Sequence, residues 1–140
     1  MDKKIISTSA ILGMVAIILG AFGAHALKKL LSVEQLTTFE TGVRYQMYHA
    51  LFLLFIGTTT VIRQKLKKTI YNLTILGVVF FSGSIYLLAT NSLMPIDFKI
   101  FGFVTPIGGI FLISAWFLLF FDLIKPIKKA SSFYTLETCF

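Results

Sequence analysis

Residues 101–123, FGFVTPIGGIFLISAWFLLFFDL, hold one charged side chain, Asp122, in twenty-three positions. A helix needs about 20 mainly apolar residues to cross the hydrocarbon core of a bilayer, and this run supplies them. Its Gly and Pro residues do not argue against a helix, because bilayer helices tolerate both. Three more runs read the same way, at about 5–24, 42–62 and 70–90, with Arg44 at one margin as their sole charge. The sequence therefore predicts an all-α fold: an integral membrane four-helix bundle.

The whole composition agrees. Of 140 residues, 56% are hydrophobic and 14% charged, and the mean hydropathy is +0.86. A soluble domain carries about a quarter charged residues to wet its surface. A soluble enzyme, a disordered tail and a nucleic-acid module are excluded on that ground. The net charge of +7 then speaks to topology and lipid contact, not to nucleic acid. Cys139 is the only cysteine, so no disulfide forms within the chain.

Basic residues set the expected direction. Lys3, Lys4, Arg63, Lys65, Lys67, Lys68, Lys125, Lys128 and Lys129 fall on one side of four spans; Lys28, Lys29, Arg44 and Lys99 fall on the other. Nine against four predicts that both termini are cytoplasmic, with a transmembrane domain over 1–129 and a short cytoplasmic tail over 130–140. Ala24-His25-Ala26 has the form of a signal-peptidase site. The apolar run before it is longer than a signal core, and bulky Phe22 lies close to the cut, so the first helix is expected to stay.

The first connection is the longest. Ser32 followed by Gln35 resembles a capping box. Beyond it Val33, Leu36, Phe39 and Val43 recur at helical spacing, which predicts an amphipathic helix over about 33–43, lying along the outer interface and leading into the second span. Small residues mark the expected helix contacts: Ala16, Gly20 and Ala24 on the first span, Gly77 and Gly83 on the third, Gly102, Gly108 and Gly109 on the fourth. Four helices in one chain already supply partners, so packing within the bundle is favoured over a homo-oligomer seam.

Polar residues inside the spans are unevenly placed. At about 1.5 Å per residue, His49 lies roughly 20 Å up the second span, with Ser82 and Ser84 at a similar level on the third. Tyr45, Gln46, Tyr86 and Thr105 come slightly higher, Tyr48 belongs to the same run, and His25 and Arg44 reach the outer boundary. These groups are expected to meet in the outer third of the bundle. Either they line a pocket or they form a hydrogen-bond network that braces the helices.

At these residues the chain resembles a known family. Leu19-Gly20-Ala21-Phe22-Gly23-Ala24-His25, Tyr45-Gln46-Met47-Tyr48-His49, Phe81-Ser82-Gly83-Ser84-Ile85-Tyr86 and Thr105-Pro106-Ile107-Gly108-Gly109 are similar to motifs of the YgdD-like small membrane proteins. The resemblance covers about Ile5 to Leu123. It departs at Ala115, before Trp116, where the pattern usually has Gly, and in the tail from Ala130. It implies a four-span bundle and carries no established activity.

No complete catalytic set accompanies these motifs. There is no H-E-x-x-H and no Ser-His-acid set, and the acids nearest the polar cluster are Glu40 and Asp97. The leading expectation is a non-enzymatic multi-pass protein, without cofactor or metal, in a bacterial cytoplasmic membrane. It would serve as an accessory or assembly subunit or as a lipid-interacting bundle, with membrane lipids and a larger complex or second copy as partners. The alternatives are a small transporter or channel, which lacks the usual intramembrane carboxylate, and a haem- or quinone-binding protein using His25 and His49.

Overall fold

The computed structural model describes residues 1–95 and 97–125, so Lys128 and Lys129, and the tail over 130–140 with Cys139, lie outside the described residues. Four long helices follow in order: α1 (Asp2–His25), α2 (Val33–Thr58), α3 (Gln64–Ala89) and α4 (Val104–Ile124). They pack as a bundle, α1 on α2, α2 on α3 and α3 on α4. Short 3₁₀ turns occupy the links at Leu27–Lys29, Asn91–Leu93 and Lys99–Phe103.

Helix α2 begins where the sequence places a cap. Ser32 Oγ accepts from the Gln35 amide at 3.2 Å, and the Ser32 amide donates to Gln35 Oε1 at 3.0 Å. Two of the free N–H groups at the start of α2 are satisfied in this way. Nothing then breaks the helix for 26 residues, about 39 Å. Residues 33–43, expected along the interface, are therefore the first turns of α2 itself and run beside α1. A Cβ on Gly23 would stand 3.2 Å from the Phe39 ring, and one on Gly20 would stand 3.5 Å from Val43.

Asp2–Lys29, Gln64–Ala89 and Val104–Ile124 are long and apolar enough to cross a membrane. The run 42–62, read as a fourth span of the same kind, does not reach that composition as part of α2. Glu40, Arg44, Gln46 and His49 make the first half of α2 too polar. It still runs the depth of α1, because Gly20 faces Val43 near one end and Gly57 faces Ile6 near the other. Three oily helices thus accompany one polar helix.

Two apolar clusters hold the ends. Ile5, Phe52, Leu53, Ile56, Ile62, Ile70, Ala115 and Leu119 pack together where α1 begins, drawing on all four helices. Ala115, where the family pattern usually has Gly, is fully buried there. Leu27, Leu31, Phe39 and Ala89 close the far end. The near end is also tied by charge. Lys67 Nζ donates to Asp2 Oδ1 at 3.0 Å, Gln64 Nε2 donates to both oxygens of Asp2, and Arg63 pairs with Asp122 at 2.8 Å. Lys67, read as a flanking charge, turns inward and is only 2% exposed.

Glycines decide how closely the helices cross. A Cβ on Gly108 would collide with the backbone of Phe80 and Phe81, and one on Gly77 would collide with Leu112. On Gly42 it would stand 2.7 Å from the Tyr86 ring. Three of the expected contact residues lie elsewhere, Gly102 among them, since a Cβ there meets nothing within 4 Å among the described residues. Ala24 is exposed, with Gly23 beside it buried instead, and a Cβ on Gly83 meets nothing within 4 Å among the described residues. Gly83 lies one residue, about 100° of helix, from inward-facing Ser82.

Gly108→Ala should therefore lower unfolding stability in mixed micelles by about 2–3 kcal/mol, because the obstacle is backbone and cannot swing away. Gly83→Ala should change it by less than about 1 kcal/mol, and in the favourable direction, since Ala is the better helix former. Equal losses at the two positions would contradict the crossing described here.

Candidate functional site

Gln46 is the most constrained polar side chain. It projects from α2 into the bundle and is 4% exposed. Its Nε2 donates to the Leu12 carbonyl of α1 at 2.9 Å, and its Oε1 accepts from the Tyr86 hydroxyl of α3 at 2.8 Å. One amide thus joins three helices. Leu12 lies midway along α1, so this bond sits near the middle of the bundle, whereas Ser82, Ser84 and Tyr86 fall in the last third of α3 and Thr105 in the first turn of α4, toward the end where α1 finishes.

The neighbouring hydroxyls make the same kind of link. Ser9 Oγ of α1 donates to the Ala50 carbonyl at 2.8 Å, and Ser82 Oγ of α3 donates to the Gly42 carbonyl at 2.9 Å. The second approach needs the bare Cα of Gly42. Ser84 Oγ meets Thr105 Oγ1 of α4 at 2.6 Å and donates to its own Phe81 carbonyl at 3.0 Å. Among the described residues, one buried side-chain polar atom has no hydrogen-bond partner, Thr74 Oγ1.

His49 lies apart from this network, on the side facing α4. Its Nδ1 is 2.7 Å from the Tyr45 carbonyl. A carbonyl only accepts, so Nδ1 carries the proton, and Nε2 of the neutral ring is left as an acceptor. Trp116 Nε1 donates to it at 3.4 Å. Phe52 supports both rings, with centroids 4.2 Å from Trp116 and 6.2 Å from His49.

Against this pair lies a groove of about 670 Å³ between α2, α3 and α4. Tyr45 and His49 form one wall, Phe81 another, and Gly109, Ile113, Trp116 and Phe120 the third. The volume lies within the range of small-molecule pockets, roughly 300–1,000 Å³. Its lining is nearly all aromatic or aliphatic.

The ten residues singled out in the sequence thus divide three ways. Gln46, Tyr86, Ser82, Ser84 and Thr105 are used in bonds between helices. His49 and Tyr45 line the groove. Arg44, Tyr48 and His25 are exposed and join neither; Arg44 Nε donates to the Glu40 carbonyl at 3.4 Å. His25 ends α1, whereas His49 sits in mid-bundle, so the two histidines share no site. No group of three or more His, Cys, Asp or Glu residues able to hold a metal occurs among the described residues. Sequence reasoning passed over Trp116, although Gly109, Ile113, Trp116 and Phe120 recur at helical spacing on one face of α4.

Comparison with known proteins fits this architecture. Residues 19–109 match the family model described as a protein of unknown function (DUF423). The chain is 39% identical over 123 residues to UPF0382 membrane protein SH2409 of Staphylococcus haemolyticus, covering 88% of this chain and 97% of the relative. It is 34% identical over 127 residues to UPF0382 inner membrane protein YgdD of Escherichia coli K12, covering 89% of this chain and 92% of that protein. No solved structure matches the chain. A multi-pass helical bundle carrying these motifs, this chain belongs to the DUF423/UPF0382 family of membrane proteins.

Proposed function

We propose that this protein is a non-enzymatic, lipid-interacting bundle of the cytoplasmic membrane that holds an apolar molecule in the groove between α2, α3 and α4. The observation that carries the reading is how the polar groups are spent. Catalysis or ion passage needs polar groups left available around a path. Here Gln46, Tyr86, Ser82, Ser84 and Thr105 are each engaged in bonds that tie helices together. Between α2, α3 and α4 lies a largely apolar groove whose polar groups come from His49, Trp116 and Tyr45. Bracing and a hydrophobic cradle are what this arrangement supplies, and the lipid phase is the nearest source of an occupant.

Gly109→Leu tests the groove. A Cβ there would stand 3.8 Å from the Phe81 ring, an ordinary contact, so the side chain fills the groove without disturbing the crossing at Gly108. Native mass spectrometry from lipid nanodiscs should find one apolar adduct on the wild type that the variant has lost, with equal unfolding stability. The same adduct on both proteins would defeat the proposal.

The orientation belongs to this reading too. Lys3, Lys4, Arg63, Lys65, Lys68 and Lys125 gather at the bundle end where α1 begins and α4 finishes, which favours a cytoplasmic location for that end. Reporters fused at residues 1 and 140 should both respond as cytoplasmic, and one inserted near Ser32 should respond as external. A C-terminal reporter on the far side would overturn the orientation.

A further inference from the structure

We infer that the occupant of the groove is a membrane hydroquinone, bound by its hydroxylated ring with the apolar tail running along α4. The inference rests on the groove reading above and adds the chemistry of the head group. His49 Nε2 and Trp116 Nε1–H face one another at 3.4 Å, beyond the roughly 2.7–3.2 Å of a well-formed bond. An acceptor and a donor thus stand together with only a weak bond between them, at the edge of a groove whose one further polar side-chain group is the Tyr45 hydroxyl.

A hydroxyl answers both groups. Its O–H donates to His49 Nε2 and its oxygen accepts from Trp116 Nε1–H. A carboxylate or phosphate only accepts, so it would oppose the Nε2 lone pair and would carry charge into the bundle interior. An ammonium only donates and carries the same cost. An ester or ketone satisfies Trp116 and leaves His49 unmatched. Between an aliphatic alcohol and a ring hydroxyl, the walls decide. Tyr45, Phe81, Trp116, Phe117 and Phe120 surround the position with aromatic faces and edges. Flat rings gain from offset or edge packing against such walls beyond their area alone. The groove's volume, about 670 Å³, leaves room past the ring for the first part of a tail.

The test uses the full chain in lipid nanodiscs, titrated calorimetrically under anaerobic conditions with decylhydroquinone, its dimethyl ether and decylbenzene. The chain has two histidines, so imidazole ¹⁵N resonances report His49 separately from His25. Decylhydroquinone should bind one to one, on the order of ten-fold tighter than the ether. It should shift the His49 Nε2 resonance and leave His25 unmoved. His49→Phe should bring the hydroquinone down to the affinity of the ether; where that variant does not fold, the wild-type comparison decides. Equal affinity for all three probes would overturn the head-group inference while leaving the groove as a site for any chain. No saturable binding by any of them would overturn the groove reading as well.

Discussion

Hydrocarbon has no water to offer the Gln46 amide, and everything around that side chain is arranged to replace it. The amide has one acceptor oxygen and one donor nitrogen inside the bundle, and each is matched by a different helix: Tyr86 from α3 and the Leu12 carbonyl from α1. A polar side chain turned toward acyl chains would lose both partners, so α2 has one acceptable rotation about its axis. With Gln46 fixed inward, Phe39, Gly42, His49, Leu53 and Ile56 follow at helical spacing on the inner face. The most polar helix thereby sets the register of its three oilier neighbours.

Close crossing is the second requirement, and it depends on what is missing from side chains. Ser82 reaches the Gly42 carbonyl because Gly42 has no Cβ to hold α3 away, and α4 settles on α3 because Gly108 lies against the Phe80–Phe81 backbone. Lipid gives helices no hydrophobic drive to associate, so these contacts and the interhelical bonds carry the assembly. The apolar clusters at the two ends complete the packing above and below the polar layer. At the near end the Asp2–Lys67 pair fixes the start of α1 to α3. Removing Asp2 would strand the buried Lys67 charge, which costs far more than a surface pair is worth.

Much of this was legible in the chain. Four apolar runs, the Ser32–Gln35 cap and the polar residues within the spans can be read from composition and spacing, because they are local properties. Pairings are not local. Nothing in the sequence says that Lys67 meets Asp2, sixty-five residues away, although Lys67 shares a helical face with Ile70, Thr74 and Gly77. Gly83 and Gly77 look alike in sequence, and only the rotation of α3 separates the open position from the crowded one. The groove was missed because it is a space between helices. Its floor, Gly109 and Trp116, is ordinary membrane-span sequence until α2 and Phe81 are set beside it.

The central claim is that the polar layer acts as a brace through Gln46, and a double-mutant cycle in mixed-micelle unfolding measures that directly. Gln46→Leu and Tyr86→Phe each remove one side of the 2.8 Å bond. Each should lower stability by about 1–2 kcal/mol, with the double variant losing less than the sum of the two. A coupling of at least about 0.6 kcal/mol, the average for interhelical bonds in membranes, is the predicted result. Strict additivity, or single variants as stable as the wild type, would show that the layer does not hold the helices together and would contradict the account.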